Sequence, residues 1–229
     1  MINRILHKLS KKITRKNLGK KILESLQKIE EGSKILIIGS GGDLQNLITN
    51  HHKKVYSIDI DQKRNPDQVI DLCQEGFAKE LKFKPNLICC FEVLEHTTNP
   101  QKAINNIYEV LEKDDYCLAS VPFNFHIHDE PNDFYRFTYH GLEMLFKNFS
   151  QIKITRRNGW LESIFVNLIR LEKEKNILSK ILGKVFILLY FVLLPLILLI
   201  QKIITSEKLT TGYYVEAKNE ELLSRLSRA

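Results

Sequence analysis

Residues 34–44, KILIIGSGGDL, constrain the fold more than any other stretch of this chain. A short unbroken apolar run suits a strand covered on both faces in a parallel sheet. The glycines that end it let the backbone turn sharply, and the pattern beyond them is helical. A strand that feeds a tight turn and a helix in this way needs further parallel strands beside it. The chain supplies them at KKVYSIDID (53–61), NLICCFE (86–92) and YCLASVPF (116–123). Between the last two, NPQKAINNIYEVLE (99–112) places Ala103, Ile107, Val110 and Leu111 on one helical face, with Asn99 as cap and Pro100 at the first helical position. A helix near 139–148, a strand near 151–156 and a last strand GYYVEAK (212–218) follow. This alternation specifies an α/β fold with a Rossmann-like, doubly wound sheet.

In such sheets the ligand sits beyond the carboxyl ends of the strands, where glycines admit it to the backbone and a helix N-terminus offers free N–H groups. Gly39, Ser40 and Gly41 occupy that turn. A dinucleotide fingerprint requires glycine where this chain has Leu44, which weighs against a nicotinamide or flavin cofactor. Asp59, about twenty residues beyond the turn, suits ribose hydroxyls under either reading.

The order GSGG, SIDID, VIDLCQ, FEVLEH with NP, VPF and DFYRFTYHGL resembles the class I S-adenosylmethionine-dependent methyltransferase family from about residue 34 to 160, and LTTGYYVEAK (209–218) is similar to its last, antiparallel strand. The resemblance implies S-adenosylmethionine as cofactor. Gly39, Ser40 and Gly41 would back its methionine part, and Asp59 would bind the ribose hydroxyls with Ile60 against the adenine. Asp71 and Leu72 would hold the adenine edge, and Phe91 would border the sulfonium. The chain departs from the family at Ile37, where an acid usually supports the cofactor's amino group, and at Asp43, which replaces a frequent glycine. Asp43 and Glu92 are the carboxylates available to substitute for the missing acid.

Methyl transfer from a positively charged sulfur asks the protein chiefly for orientation, with a general base when the acceptor is a hydroxyl. Base candidates are Glu92, Glu95, His96, His126 and His128, of which Glu92, His96 and His128 form the proposed catalytic set. Glu92, Glu95 and His96 stand at i, i+3 and i+4, so a helix after the fourth strand would put them on one face. With His128 they are the ligand candidates for a divalent ion, in an arrangement similar to that of metal-assisted methyltransferases; a role for Glu95 and His96 in orienting the turn is favoured over the metal. Arg136 pairs with Asp133 to hold its loop, or lines the acceptor pocket with Tyr135.

Charge is localised. Residues 1–34 hold ten Lys and Arg against three Glu, which accounts for the whole net charge of +7 and leaves a neutral body. That distribution argues against nucleic acid as partner and describes a basic arm (1–33). Leu18, Ile22, Leu26 and Ile29 make its second half amphipathic, either packed on the domain or drawn to anionic headgroups. No secretory signal is apparent, so the domain is expected in the cytoplasm. Cys73, Cys89, Cys90 and Cys117 lack metal or scaffold spacing and read as reduced thiols, mostly in buried strands.

Residues 185–200, VFILLYFVLLPLILLI, carry no charge and are flanked by Lys184 and Lys202. They fall between two strands of one sheet, so an even number of crossings is required, and SIFVNLIRL (163–171) is too short and polar to provide a second. A helix or Pro195-kinked hairpin entering one leaflet is expected, the alternative being a helix buried in the domain or in a dimer interface. The organisation is thus a basic arm (1–33), a methyltransferase core (34–160), a hydrophobic helical insertion (161–208), the last strand (209–219) and a tail (220–229). The function implied is a methyltransferase on the cytoplasmic side of a membrane, peripheral or monotopic, acting on a small-molecule, lipid-linked, glycan or quinone-type acceptor. A catalytically silent membrane-bound binding protein and a metal-assisted RNA methyltransferase are the alternatives.

Overall fold

In a computed structural model of the chain, residues 13, 15, 17–206 and 208–219 are described; the start of the basic arm and the tail 220–229 lie outside them. The strands are β1 Ile35–Ile38, β2 Val55–Asp59, β3 Gln68–Val69, β4 Leu87–Phe91, β5 Tyr116–Pro122, β6 Gln151–Arg156 and β7 Gly212–Lys218. They form one sheet in the order β3-β2-β1-β4-β5-β7-β6. β1 to β5 run parallel, and β7 lies antiparallel between β5 and β6. This is the Rossmann-like architecture expected, including the antiparallel strand; the two-residue β3 is added to it.

Alternation along the buried strands divides the core into two layers. Ile35, Ile37, Leu87 and Cys89 face one side, where Leu18, Ile22 and Leu26 of helix α1 (17–26) and Ile48 of α2 (Gly42–Thr49) cover them. Leu36, Ile38, Ile88 and Cys90 face the other, under α3 (Phe77–Glu80), α4 (Pro100–Val110) and α5 (Tyr139–Leu145). The apolar stripe of the basic arm is therefore spent on the sheet, and the Ser25 hydroxyl donates to Glu216 on β7 at 2.8 Å. Asn99 caps α4 by accepting from the Lys102 amide at 3.0 Å, with Pro100 following it. Cys89, Cys90 and Cys117 are buried, Cys73 is half-buried, and all four are free.

The insertion between β6 and β7 is a pair of helices, α6 (Trp160–Arg170) and α7 (Ile177–Ile203). Pro195 sits inside α7 without breaking it, so the hairpin alternative gives way to one continuous helix of 27 residues. Gly183, Ile187, Tyr190 and Ile197 are its buried stripe, packed on Ile169, Leu161 and Phe165 of α6. A Cβ at Gly183 would collide with the backbone of Glu172, so glycine is required for that approach. The opposite face exposes Leu188, Val192, Leu196 and Leu199. A helix buried within the domain is thereby corrected: α7 is apolar all round but covered on one side only. Among the described residues it is the one helix long and apolar enough to cross a membrane.

Candidate active site

Strand order reverses between β1 and β4, and the turn after β1 opens onto that crevice. Gly39, Gly41 and Gly42 have φ of 88°, 93° and 80°, a region that other residues enter only with strain. A Cβ on Gly39 would meet Val93 Cγ2 at 2.6 Å, whereas one on Gly41 or Gly42 would meet nothing within 4 Å. The turn is thus tight on its protein side and open towards the crevice, as a cofactor's approach to backbone requires.

Asp59 closes the far side. Its Oδ2 accepts from the Ser40 amide and its Oδ1 from the Asp61 amide, each at 2.8 Å. A carboxylate has about four acceptor sites, so capacity remains for two ribose hydroxyls. Ile60 is 68% exposed beside it, an apolar platform suited to an adenine face. The Asp71 carboxylate accepts from the Cys73 amide at 2.8 Å, and Leu72 is buried with its carbonyl accepting from Asn106 at 2.7 Å. Phe91, at the end of β4, stacks on Tyr214 with centroids 6.1 Å apart. Ile37 points into the core and brings no polar group to the turn. Of the proposed substitutes for the missing acid, Asp43 lies 3.7 Å from Arg15, and Glu92 is engaged by the buried Arg157 and by the Ser120 hydroxyl, the latter at 2.9 Å.

Glu92, Glu95 and His96 do not share a helical face. The backbone at Glu92 is left-handed, φ 56°, and only a single 3-10 turn, Leu94–His96, follows. Glu92 therefore points to Arg157 at the end of β6, while Glu95 and His96 turn towards the loop after β5. Burial alone would raise the Glu92 carboxyl, but the Arg157 charge and the hydrogen bonds from Arg157 and Ser120 hold it below the usual range. Arg157 escaped the sequence reading because nothing in TRRNGW marks which arginine turns inward.

Glu95 is fully buried, and burial together with the Glu92 charge pushes its carboxyl well up. His96 Nε2 and His128 Nε2 each lie 3.8 Å from Glu95 Oε1, and the two rings meet edge to face at 5.1 Å. His128 Nδ1 lies 3.2 Å from Asp133 Oδ2, and Arg136 grips the same carboxylate through two contacts of 2.6 Å. The Arg136 guanidinium also donates to the carbonyls of Phe125 and His126, which makes it the loop's brace. Burial would raise Asp133, yet the Arg136 pairing and the His128 amide hold it far below the usual range. Burial beside Arg170 lowers His126 to about 4, and burial lowers His128 despite Asp133, so both imidazoles are neutral near pH 7.

The helical insertion rises from this same edge of the sheet. Gly212, the first residue of β7, pairs with Pro122 at the carboxyl end of β5, and β6 ends at Arg156 just before α6. Asn167 of α6 donates to the Asn124 carbonyl at 3.0 Å, and Arg170 lies 5.2 Å over the Phe125 ring. The exposed apolar helix and the histidine loop are thus mounted on one rim.

Comparison with known proteins agrees with this geometry. A family model described as a methyltransferase domain matches residues 7–162. No curated protein matches at a significant level. Among solved structures, an S-adenosylmethionine-dependent methyltransferase from Archaeoglobus fulgidus is similar with a TM-score of 0.58 at 12% identity, over 90% of this chain and 94% of that one. The N-methyltransferase NodS from Bradyrhizobium japonicum WM9 gives 0.55 at 12% identity, over 91% and 97%. Phosphoethanolamine N-methyltransferase 2 from Haemonchus contortus, in complex with phosphomonomethylethanolamine and S-adenosylhomocysteine, gives 0.53 at 14% identity, over 90% of this chain and 53% of that one. The chain belongs to the methyltransferase-domain family, and it is a class I enzyme that uses S-adenosylmethionine.

Proposed function

We propose that this methyltransferase works at the cytoplasmic surface of a membrane, on a lipid-linked, glycan or quinone-type acceptor presented there. The observation that carries the reading is the shared rim: the exposed apolar face of α7 and the loop bearing His126 and His128 leave the same edge of the sheet. An apolar face of this length calls for an apolar partner, and a bilayer meets all of it at once. At about 1.5 Å per residue α7 is roughly 40 Å long. Both of its ends lead to neighbouring strands, β6 and β7, so it lies in one leaflet rather than crossing. Lys180, Lys184 and Lys202 supply cations along it for anionic headgroups.

S-adenosylmethionine supplies the activated methyl group, and the chain's own task is to hold the acceptor in line and receive its proton. In the ion-free chain His128 and His96 are the bases offered for that proton; the ionised, Arg157-paired Glu92 offers a fixed negative charge beside the crevice.

Vesicle flotation tests the membrane reading. The full chain should float with vesicles containing anionic lipid, and L188Q/V192Q/L196Q/L199Q should remain below while binding S-adenosylhomocysteine as the natural chain does. A natural chain that does not float overturns the reading. Incubation with labelled cofactor and membrane extracts then identifies the acceptor.

A further inference from the structure

We propose that Glu95, His96 and His128 hold a divalent transition-metal ion on the acceptor side of the methyl-transfer site. One ligand atom from each, a carboxylate oxygen and two imidazole nitrogens, lies within 4.8 Å of the others. Ligand atoms around a tetrahedral Zn²⁺ sit roughly 3.4 Å apart, from bonds of about 2.1 Å. The two Glu95–histidine separations of 3.8 Å are close to that, and small side-chain rotations supply the rest.

Hydrogen bonding orients the lone pairs. His96 Nδ1 lies 2.6 Å from the Asn132 carbonyl oxygen, an acceptor, so the proton sits on Nδ1. His128 Nδ1 lies 3.2 Å from the Asp133 carboxylate, a charge contact outside hydrogen-bond geometry that sets the negative charge on the Nδ1 side of the ring. The His96 Nε2 lone pair therefore faces Glu95, itself an acceptor when ionised, and His128 Nε2 lies at the same 3.8 Å from Glu95 Oε1. Neither Glu95 oxygen has a hydrogen-bond partner among the described residues, and its side chain is fully buried. Three acceptors facing one another around a fully buried carboxylate call for a cation between them, or a proton on the carboxyl.

The outer groups are of the kinds that usually support metal-bound imidazoles: a carbonyl bonded to one histidine and a carboxylate 3.2 Å from the other. They are rigidly held, because Arg136 grips Asp133 and the Phe134 amide donates to the Glu95 carbonyl at 2.8 Å. That bond ties the ligand turn directly to the loop carrying the supporting groups. Two imidazoles and one carboxylate favour Zn²⁺, Fe²⁺ or Mn²⁺ over Mg²⁺ or Ca²⁺. Three protein ligands leave coordination positions for an acceptor oxygen, whose proton affinity the ion would lower. The site stands independently of the membrane reading.

Calorimetric titration of the chelator-stripped full chain with Mn²⁺ and, separately, Zn²⁺ tests the proposal. One ion per chain is expected, with affinity at least tenfold weaker in E95Q and in H128A and about tenfold weaker in D133N. Binding of S-adenosylhomocysteine by each variant verifies its fold. The Mn²⁺-loaded natural chain should also show nitrogen modulation in its electron spin echo from the bound imidazoles, a readout that needs no variant to fold. No stoichiometric uptake of either ion by the natural chain, uptake unchanged in H96A/H128A, or no nitrogen modulation would each overturn the site; in those outcomes Glu95 is a protonated buried acid.

Discussion

The Asp59 carboxylate accepts the Ser40 amide at 2.8 Å, so the glycine turn after β1 and the end of β2 are one rigid unit. Asp59→Ala removes that bond together with two implied ribose contacts. Hydrogen bonds to a charged group are worth about 1.5–3 kcal/mol. The affinity for S-adenosylhomocysteine should fall at least tenfold, measured by calorimetry, with the fold retained by circular dichroism.

Gly39 and Gly41 should fail in different ways. Gly39→Ala forces a Cβ onto Val93 at 2.6 Å and should lower the melting temperature sharply, with V93A restoring part of the loss. Gly41→Ala finds open space, so its stability cost is confined to a backbone conformation (φ 93°, ψ 175°) essentially reserved for glycine, about 1–3 kcal/mol. Its added methyl would meet no protein atom within 4 Å, in the turn implied to back the cofactor's methionine part, so its larger effect should be on cofactor affinity. Urea melts and cofactor titration on both variants separate the two effects.

Arg157 is 3% exposed and serves Glu92. Arg157→Leu strands a buried carboxylate and should cost about 3–5 kcal/mol in urea denaturation. R157L/E92L should be more stable than R157L alone. Equal stabilities would show that the pair is not coupled.

Acid should loosen the docking of α1. Burial alone would raise the Glu216 carboxyl, but hydrogen bonds from Ser25 and Lys153 and the charges of Lys153 and Lys28 hold it below the usual range. A depressed carboxyl stabilises the fold above its unfolded value, about 4.3, and that contribution fades as pH falls through the folded value. Glu216→Gln should therefore cost about 1 kcal/mol at pH 7 and show a flatter loss of stability in acid. Parallel urea melts from pH 7 to 3 read the difference.

The sheet was legible because its signals are local: apolar runs, the Gly39–Gly41 turn, and the Asn99–Pro100 helix start. Asp133 with Arg136 was legible too, three residues apart in one loop. Glu92 with Arg157 was not, since the partners are 65 residues apart and meet only once β6 is placed beyond β7. The i, i+3, i+4 spacing after β4 misled about Glu92 because its left-handed backbone interrupts helical periodicity before it starts. Pro195 suggested a hairpin; the helix continues because the proline removes one backbone bond while both flanks keep theirs.

The position of β7 has a consequence for how the chain is made. Among the described strands it comes last in the chain, yet it lies between β5 and β6, so residues 212–218 supply the strand on which β6 pairs. The intervening helices are complete before that edge can close. During synthesis the strands of the cofactor half, β1 to β5, therefore all emerge before the strand that joins β6 to them. A bilayer that captured α7 at that stage would hold the chain by its insertion while the final strand threaded into place.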